Sequence, residues 1–328
     1  MTEHAPEQLD AEFQVEKLTP ELVSKIVRQD ITQPEILSQR WDLEDCTFII
    51  PLRIETRDRM RNILVTLIYL LRNFNTKVIV KEVDKESIFK ESVLPALEEA
   101  CEDFRMEGLT HIFEQSDEYT FHRTKIINDM LWMVDTPVTC NYDCDVLLPK
   151  TSYPYAVNMI LNGVEDARVE GEKWYPKVVY PYGRGRYQAQ LYTDDQEVSE
   201  FINSKFDFEK FNKWRPYDAK FGFCQFFDTE TYKELGGENE GFISYGYEDD
   251  ERHYRFAMLT DAVARMDERI FHLEHKRSMN SWFNNPHIEG NRKLWEKLKS
   301  CKKEELKFYY ENVGYAKARR AIPVTGQE

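Results

Sequence analysis

Between Cys46 and Pro149 the chain alternates strand-length apolar runs with segments of helical periodicity, and that order leaves an α/β sheet as the simplest fold. The run "CTFIIPLR" is a short apolar strand that stops at Pro51. It is followed by "DRMRNILVTLIYLLRNF", in which Met60, Ile63, Leu64, Leu67, Ile68 and Leu71 share one helical stripe. The alternation continues with "TKVIVKEV" as a strand, "SIFKESVLPALEEACEDF" as a helix interrupted at Pro95, and "LTHIFEQ" as a strand. Then come "FHRTKIINDMLWMV" as a helix and "PVTCNYDCDVLLP" as a fourth strand. The order predicts a mainly parallel sheet with right-handed crossovers, flanked by helices. Ligands of such sheets bind beyond the carboxyl ends of the strands. Three polar segments fall there: Pro51 to Arg57, Glu82 to Asp84, and Asp143 to Asp145.

A chain of 328 residues suits one large α/β domain with appendages or two modest domains. With 41% hydrophobic residues and only 13 Gly and 13 Pro, it reads as globular rather than disordered or fibrous. The formal charge of -15 argues against nucleic acid as a partner, because that needs a basic stripe to neutralise phosphates. No apolar run has the length of a transmembrane span, and the acidic start lacks the parts of a signal peptide. The expected location is therefore cytoplasmic, with peripheral membrane contact left open. The cysteines form no C-x-x-C pair and read as reduced thiols. Neither G-x-G-x-x-G after the first strand nor a P-loop occurs, so phosphate, if held, is held otherwise.

Three constellations carry chemistry. Asp143 and Asp145 flank Cys144; on an extended segment they would face the same way and repel unless a cation or a row of donors sits between them. A lone D-x-D is also an ordinary turn former. Glu248, Asp249, Asp250 and Glu251 follow Tyr245, Gly246 and Tyr247 at a helix start. Such a run is commonly a solvated cap, yet beside an aromatic wall a carboxylate can be raised toward a useful general base. The glycine pair in "ELGGENEGF" suits a loop that brings backbone close to a ligand. His272 and His275 are spaced to converge on one ion, although paired surface histidines look the same. An Asp pair and a His pair together could supply oxygen and nitrogen to one divalent cation, Mn²⁺ or Mg²⁺.

The order "IIPLR", "FHRTKIIN", "DCDVLLP", "FGFCQFFDTETYKELGGENEGFISYGYEDDE" and "HLEH" resembles the GT-A-fold inverting glycosyltransferases of the β-1,4-galactosyltransferase and chondroitin-polymerase type, over about residues 46–285. The resemblance implies a GT-A domain at 41–285 with helical extensions at 1–40 and 286–328. It implies that Asp143 contacts the nucleotide ribose, that Asp145 and His275 ligate the metal, and that His272, a histidine in the polymerase-type relatives, joins them. Pro51, Arg53 and Arg123 look like nucleotide contacts, and Asp84, at the end of the second strand, is grouped with them. Asp249 matches the general base; Tyr245 matches an aromatic that packs on the sugars, and Glu248 and Asp250 match neighbouring substrate contacts. Ile243 and Ser244 stand where galactosyltransferases have tryptophan and glycine, so acceptor identity does not carry over.

The expected activity is metal-dependent transfer of a sugar, with inversion, from a nucleotide sugar (a UDP-sugar above others) to a hydroxyl of a glycan or glycoconjugate, as in polysaccharide biosynthesis. The rivals are a catalytically silent sugar-binding or scaffold protein and a sugar nucleotidyltransferase, whose Gly-rich basic loop is missing. The Tyr-rich stretch 149–216 reads as irregular and as a candidate lid.

Overall fold

The computed structural model describes residues 40–100, 106–167, 169–211, 213–276 and 285–321. The helix expected within residues 1–40 lies outside them. The first strand, β1 (Trp41–Leu52), starts earlier than its apolar run and continues through Pro51. Pairing of β1 with β4 (Val138–Tyr142) ends at Ile49, while pairing with β2 (Phe74–Asp84) runs on to Leu52. Pro51 therefore has a neighbour on one side only, an edge position where a missing N–H is tolerated.

With β3 (Leu109–Gln115), these strands form the parallel half of a seven-stranded sheet. Its other half is β11 (Cys224–Asp228), β8 (Val178–Tyr180) and β12 (Val263–Arg265), in the order β12-β8-β11-β4-β1-β2-β3. Only β11 runs against the rest. This is the mixed α/β, mainly parallel arrangement that the alternation predicts.

Helix α1 (Arg57–Asn73) begins at Thr56, whose side chain accepts from the Arg59 N–H, and is buried from Met60 to Asn73. A helix enclosed on all sides must satisfy its polar side chains internally. Asn62, Thr66 and Tyr69, spaced to share a face, donate to the backbone carbonyls of Leu273 (3.0 Å), Cys144 (3.1 Å) and Leu148 (2.6 Å). One buried helix thus grips both chain segments that carry the expected metal ligands.

Three sequence expectations change. At Pro95 the helix changes its winding without ending: a π-helical turn (Phe89–Val93) runs without a break into α2 (Leu94–Ala100), and the wider turn accommodates a residue with no N–H to donate. The fourth strand is broken. Residues 143–145 form a turn between β4 and β5 (Val146–Leu147), and β5 leaves the main sheet for a second one. That four-stranded sheet has the order β10 (Trp214–Pro216), β9 (Gln188–Leu191), β13 (Ile270–Leu273), β5. Finally, the stretch 149–216 is largely regular: it holds α4 (Ser152–Asn162), a small ribbon of β6 (Val164–Glu165) and β7 (Lys173–Trp174), then β8, β9 and α5 (Asp195–Asn203). Because β8 and β9 are fully buried strands of the two sheets, the segment as a whole cannot be a lid.

Among the remaining elements, α3 (Arg123–Leu131) precedes β4, α6 (Thr229–Glu234) follows β11, and α7 (Glu248–Thr260) opens with the acidic run. Helices α8 (Ile288–Lys299), α9 (Lys303–Asn312) and α10 (Gly314–Arg320) follow. Leu298, Leu306 and Tyr310 from this end share a small core with Phe242.

Candidate active site

Strand β13 pairs antiparallel with β5, setting His272 opposite Val146, and the Leu273 N–H donates to the Asp145 carbonyl at 2.8 Å. This register is why residues far apart in sequence meet. Asp145 Oδ1 lies 3.5 Å from His272 Nε2 and Oδ2 lies 3.2 Å from His275 Nε2. One ligand atom from each of the three lies within 4.8 Å of the others, the spread expected of groups converging on one cation. Asp145 is buried; burial alone would raise its carboxyl, but His272 and His275 hold it well below the usual carboxylate range. Burial keeps His272 below its ordinary value against the pull of Asp145, which favours the neutral imidazole that a metal needs. The Gln190 side-chain amide on β9 is 3.1 Å from His272 Nδ1, and fixes the ring with Nε2 toward Asp145. A carboxylate with two imidazoles is a donor set suited to a borderline divalent ion, so the three residues fit the metal expected of them.

Asp143 points elsewhere. Its Oδ1 accepts from Arg123 Nη2 at 2.6 Å, and Arg123 Nη1 is 3.9 Å from Asp249 Oδ1. Arg123, at the first turn of α3, therefore joins the D-C-D turn to the acidic helix. Burial raises the Asp143 carboxyl despite Arg123. The i, i+2 geometry of a strand does not apply, because a turn separates the two aspartates: one serves the histidine cluster and the other the arginine.

The acidic run opens α7 after a backbone that winds through positive φ at Ser244, Gly246 and Tyr247. Glu248 turns inward, is 2% exposed, and accepts from the Gly246 N–H at 2.6 Å. Burial and then Asp249 push its carboxyl up to about 8, with Arg123 opposing, so near neutral pH it is largely a neutral acid that can donate a hydrogen bond. Asp249 is partly exposed and accepts from Arg252 Nη2. A Cβ on Gly222 would come within 3.0 Å of Asp249 Oδ2, so glycine there keeps space beside that oxygen. Asp250, half-buried in the first turn of α7, is raised by burial with Lys220 opposing. Tyr245, 41% exposed, is near enough to Glu248, Asp249 and Asp143 to feel their charge.

The other expected nucleotide contacts lie at the ends of β1 and β2. Arg53 donates to the carbonyls of Val83 and Tyr119, both at 2.9 Å, and its guanidinium sits 5.2 Å from the Phe121 ring centre. Asp84 is raised by burial, with Arg53 opposing. Pro51 is buried in its strand. These three lie where β1 and β2 end side by side.

Sequence reasoning missed Arg59, Gln190, Glu238 and Arg252. Arg59, in the first turn of α1, is close enough to Asp145 and Asp143 for their charge to favour its protonated form against burial. Its place just after "IIPLR" was the available signal. Gln190 carries none, since only the pairing of β9 with β13 brings it to His272.

Residues 204–276, which include Gly222, the acidic run and both histidines, match a protein-family model described as the N-terminal domain of galactosyltransferase. That stretch is similar to a glycosyltransferase domain. The resemblance to galactosyltransferases drawn from the motifs is met over that stretch. No curated protein matches the chain. Among solved structures, a mannosyltransferase from Pyrobaculum calidifontis in complex with GDP-Man and Mn²⁺ is 16% identical, covering 87% of this chain and 76% of its own, with a TM-score of 0.47. The catalytic domain of Drosophila β1,4-galactosyltransferase 7 in complex with xylobiose is 16% identical over 75% of this chain and 79% of its own, with a TM-score of 0.36. A variant of that enzyme with manganese, UDP-Gal and xylobiose is 15% identical over the same shares, with a TM-score of 0.39. Among the described residues no helix is long and apolar enough to cross a membrane.

Proposed function

We propose that the chain is a metal-dependent inverting glycosyltransferase that moves a sugar from a nucleotide sugar, a UDP-sugar above others, to a hydroxyl of a glycan or glycoconjugate. The observation that carries this reading is the bridge made by Arg123: it holds Asp143, two residues from the cation-binding Asp145, and lies beside Asp249 at the head of the acidic helix. Donor and acceptor chemistry would thus meet at one place.

Asp145, His272 and His275 would hold the cation, Mn²⁺ by the mixture of oxygen and nitrogen donors. When bound, it supplies positive charge to the diphosphate of the leaving nucleotide. Arg123 and Arg59 add fixed positive charge on the same side, a preorganised electrostatic contribution. Arg53, Asp84 and Pro51 would contact the nucleotide, and Asp143 its ribose. Asp249 takes the proton of the acceptor hydroxyl as it attacks, while Arg252 keeps one of its oxygens occupied. Tyr245 would pack on the sugars. Glu248, protonated near neutral pH, would donate to a sugar oxygen, and Asp250 would contact the acceptor. One displacement at the anomeric carbon inverts it.

The test is release of nucleoside diphosphate from a panel of UDP- and GDP-sugars with mixed saccharide acceptors, in Mn²⁺ and then with chelator. Release that needs Mn²⁺, with NMR showing the opposite anomeric configuration in the product, is the expected result. A product that retains configuration would overturn inversion. Donor binding without any release would favour the silent sugar-binding protein. Asp249→Asn should lower turnover by roughly two to four orders of magnitude, the scale of general-base loss, with donor affinity unchanged.

A further inference from the structure

The glycine pair at 236–237 suits a close approach to a ligand on sequence grounds, but the structure gives it another partner. Both glycines have positive φ, and a Cβ on Gly237 would fall 2.4 Å from Asn128 Oδ1. The tight turn delivers Glu238 to α3, where Asn128 brackets it: Asn128 Oδ1 accepts from the Glu238 N–H at 2.7 Å and Asn128 Nδ2 donates to the Glu238 carbonyl at 2.9 Å. The side chain is thereby driven into the interior, 1% exposed. There it meets Arg252, itself 0% exposed, whose Nη1 donates to both Glu238 oxygens at 2.8 and 2.9 Å. Tyr232 also donates to the same carboxylate. The second Nη of Arg252 donates to Asp249 Oδ1.

One guanidinium is therefore shared by a carboxylate that has no access to substrate and one at the head of the site. An ion pair buried for stability alone gains little over apolar packing, and it has no need to reach a second, partly exposed carboxylate. The fork of Arg252 can hold two carboxylates because its donors are coplanar and fixed in direction. With Glu238 charged, Arg252 is divided between them and takes only Oδ1 of Asp249. With Glu238 neutral, the guanidinium has Asp249 as its one charged hydrogen-bond partner, and would turn to engage both oxygens.

We propose that Glu238 is a positioning residue for the transfer reaction, acting through Arg252 to hold the Asp249 carboxylate by one oxygen and leave Oδ2, beside Gly222, for the acceptor proton. The proposal rests on Asp249 being the general base.

Glu238→Gln tests it, since the amide keeps the shape and an acceptor for Tyr232 while removing the charge. The expected result is a fall in kcat of roughly 10- to 100-fold, the scale of a misplaced reacting group, with donor KM and Mn²⁺ affinity within about twofold. Placed in an Asp249→Asn background, Glu238→Gln should lower the residual rate no further. A structural role would show instead as an equal, additive loss in both backgrounds, and that outcome overturns the proposal, as does a kcat within twofold of the parent. If Glu238→Gln does not fold, Arg252→Lys replaces it: a single ammonium cannot span both carboxylates, and its loss of kcat should likewise vanish in the Asp249→Asn background. Failure of the underlying reading looks different, because Asp249→Asn alone would then turn over at the parent rate.

Discussion

Glu248 offers a test that needs neither donor nor metal. In an unfolded chain its carboxyl titrates in the ordinary glutamate range; in the folded protein, burial and the neighbouring Asp249 push it up to about 8. A group raised on folding contributes its stability below the unfolded value, where both states hold the proton. As pH climbs from there the unfolded chain releases its proton while the folded one still retains it, so stability drains at roughly 1.4 kcal/mol per pH unit until the folded group also ionises. Across that window the loss amounts to a few kcal/mol. Glu248→Gln removes the titration yet keeps an oxygen to accept from Gly246. Urea unfolding of parent and variant at pH 5, 7 and 9 should give near-equal stability at pH 5 and a variant more stable by a few kcal/mol at pH 9. A difference that stays constant across the range would refute the picture of a neutral, buried Glu248 and, with it, the hydrogen-bond donor assigned to it.

Asp145→Asn and His275→Ala should each weaken Mn²⁺ binding, read by electron paramagnetic resonance of the free ion, by at least tenfold while circular dichroism is unchanged. Thr66→Val removes the hydroxyl that donates to the Cys144 carbonyl; it should cost about 1 to 2 kcal/mol in urea unfolding and also loosen Mn²⁺ binding. Gly222→Ala brings a methyl to within 3.0 Å of Asp249 Oδ2; kcat should drop while donor affinity, measured calorimetrically, holds.

The parallel half of the sheet was legible because its strands are apolar runs separated by a striped helix, and the position of Asp143 to Asp145 at a carboxyl edge followed from that order. The acidic run at a helix start was legible for the same local reason. What periodicity could not show was the break at residues 143–145. The apolar run "DVLLP" looks continuous with β4, yet Val146 and Leu147 pair with β13 in another sheet. Strands β8 and β9 are short, and lie among Tyr, Pro and Gly that signal loops; only their pairing partners make them strands. Pro95 misled because a π turn, which sequence does not announce, carries the chain into its helix. Glu238 and Arg252 stayed hidden because the sequence shows a carboxylate and an arginine on separate segments and says nothing of the turn that buries one against the other.

The two halves of the site are fixed by different means, and this bears on how each would fail. The half with Asp145, His272 and His275, proposed to hold the cation, depends on register: β5 against β13, and β13 against β9, with α1 donating from Asn62 and Thr66 to hold the backbone in place. A one-residue slip of β13 would turn His272 to the opposite face, so damage here is all or none. The acidic half depends on charge inside the protein: Arg123 and Arg252 hold the carboxylates of Asp143, Asp249 and Glu238. Damage there is graded, because each arginine has more than one partner and can redistribute. Substitutions near β13 should therefore abolish metal binding together with activity, whereas charge changes around α7 should leave the metal bound and lower the rate in steps.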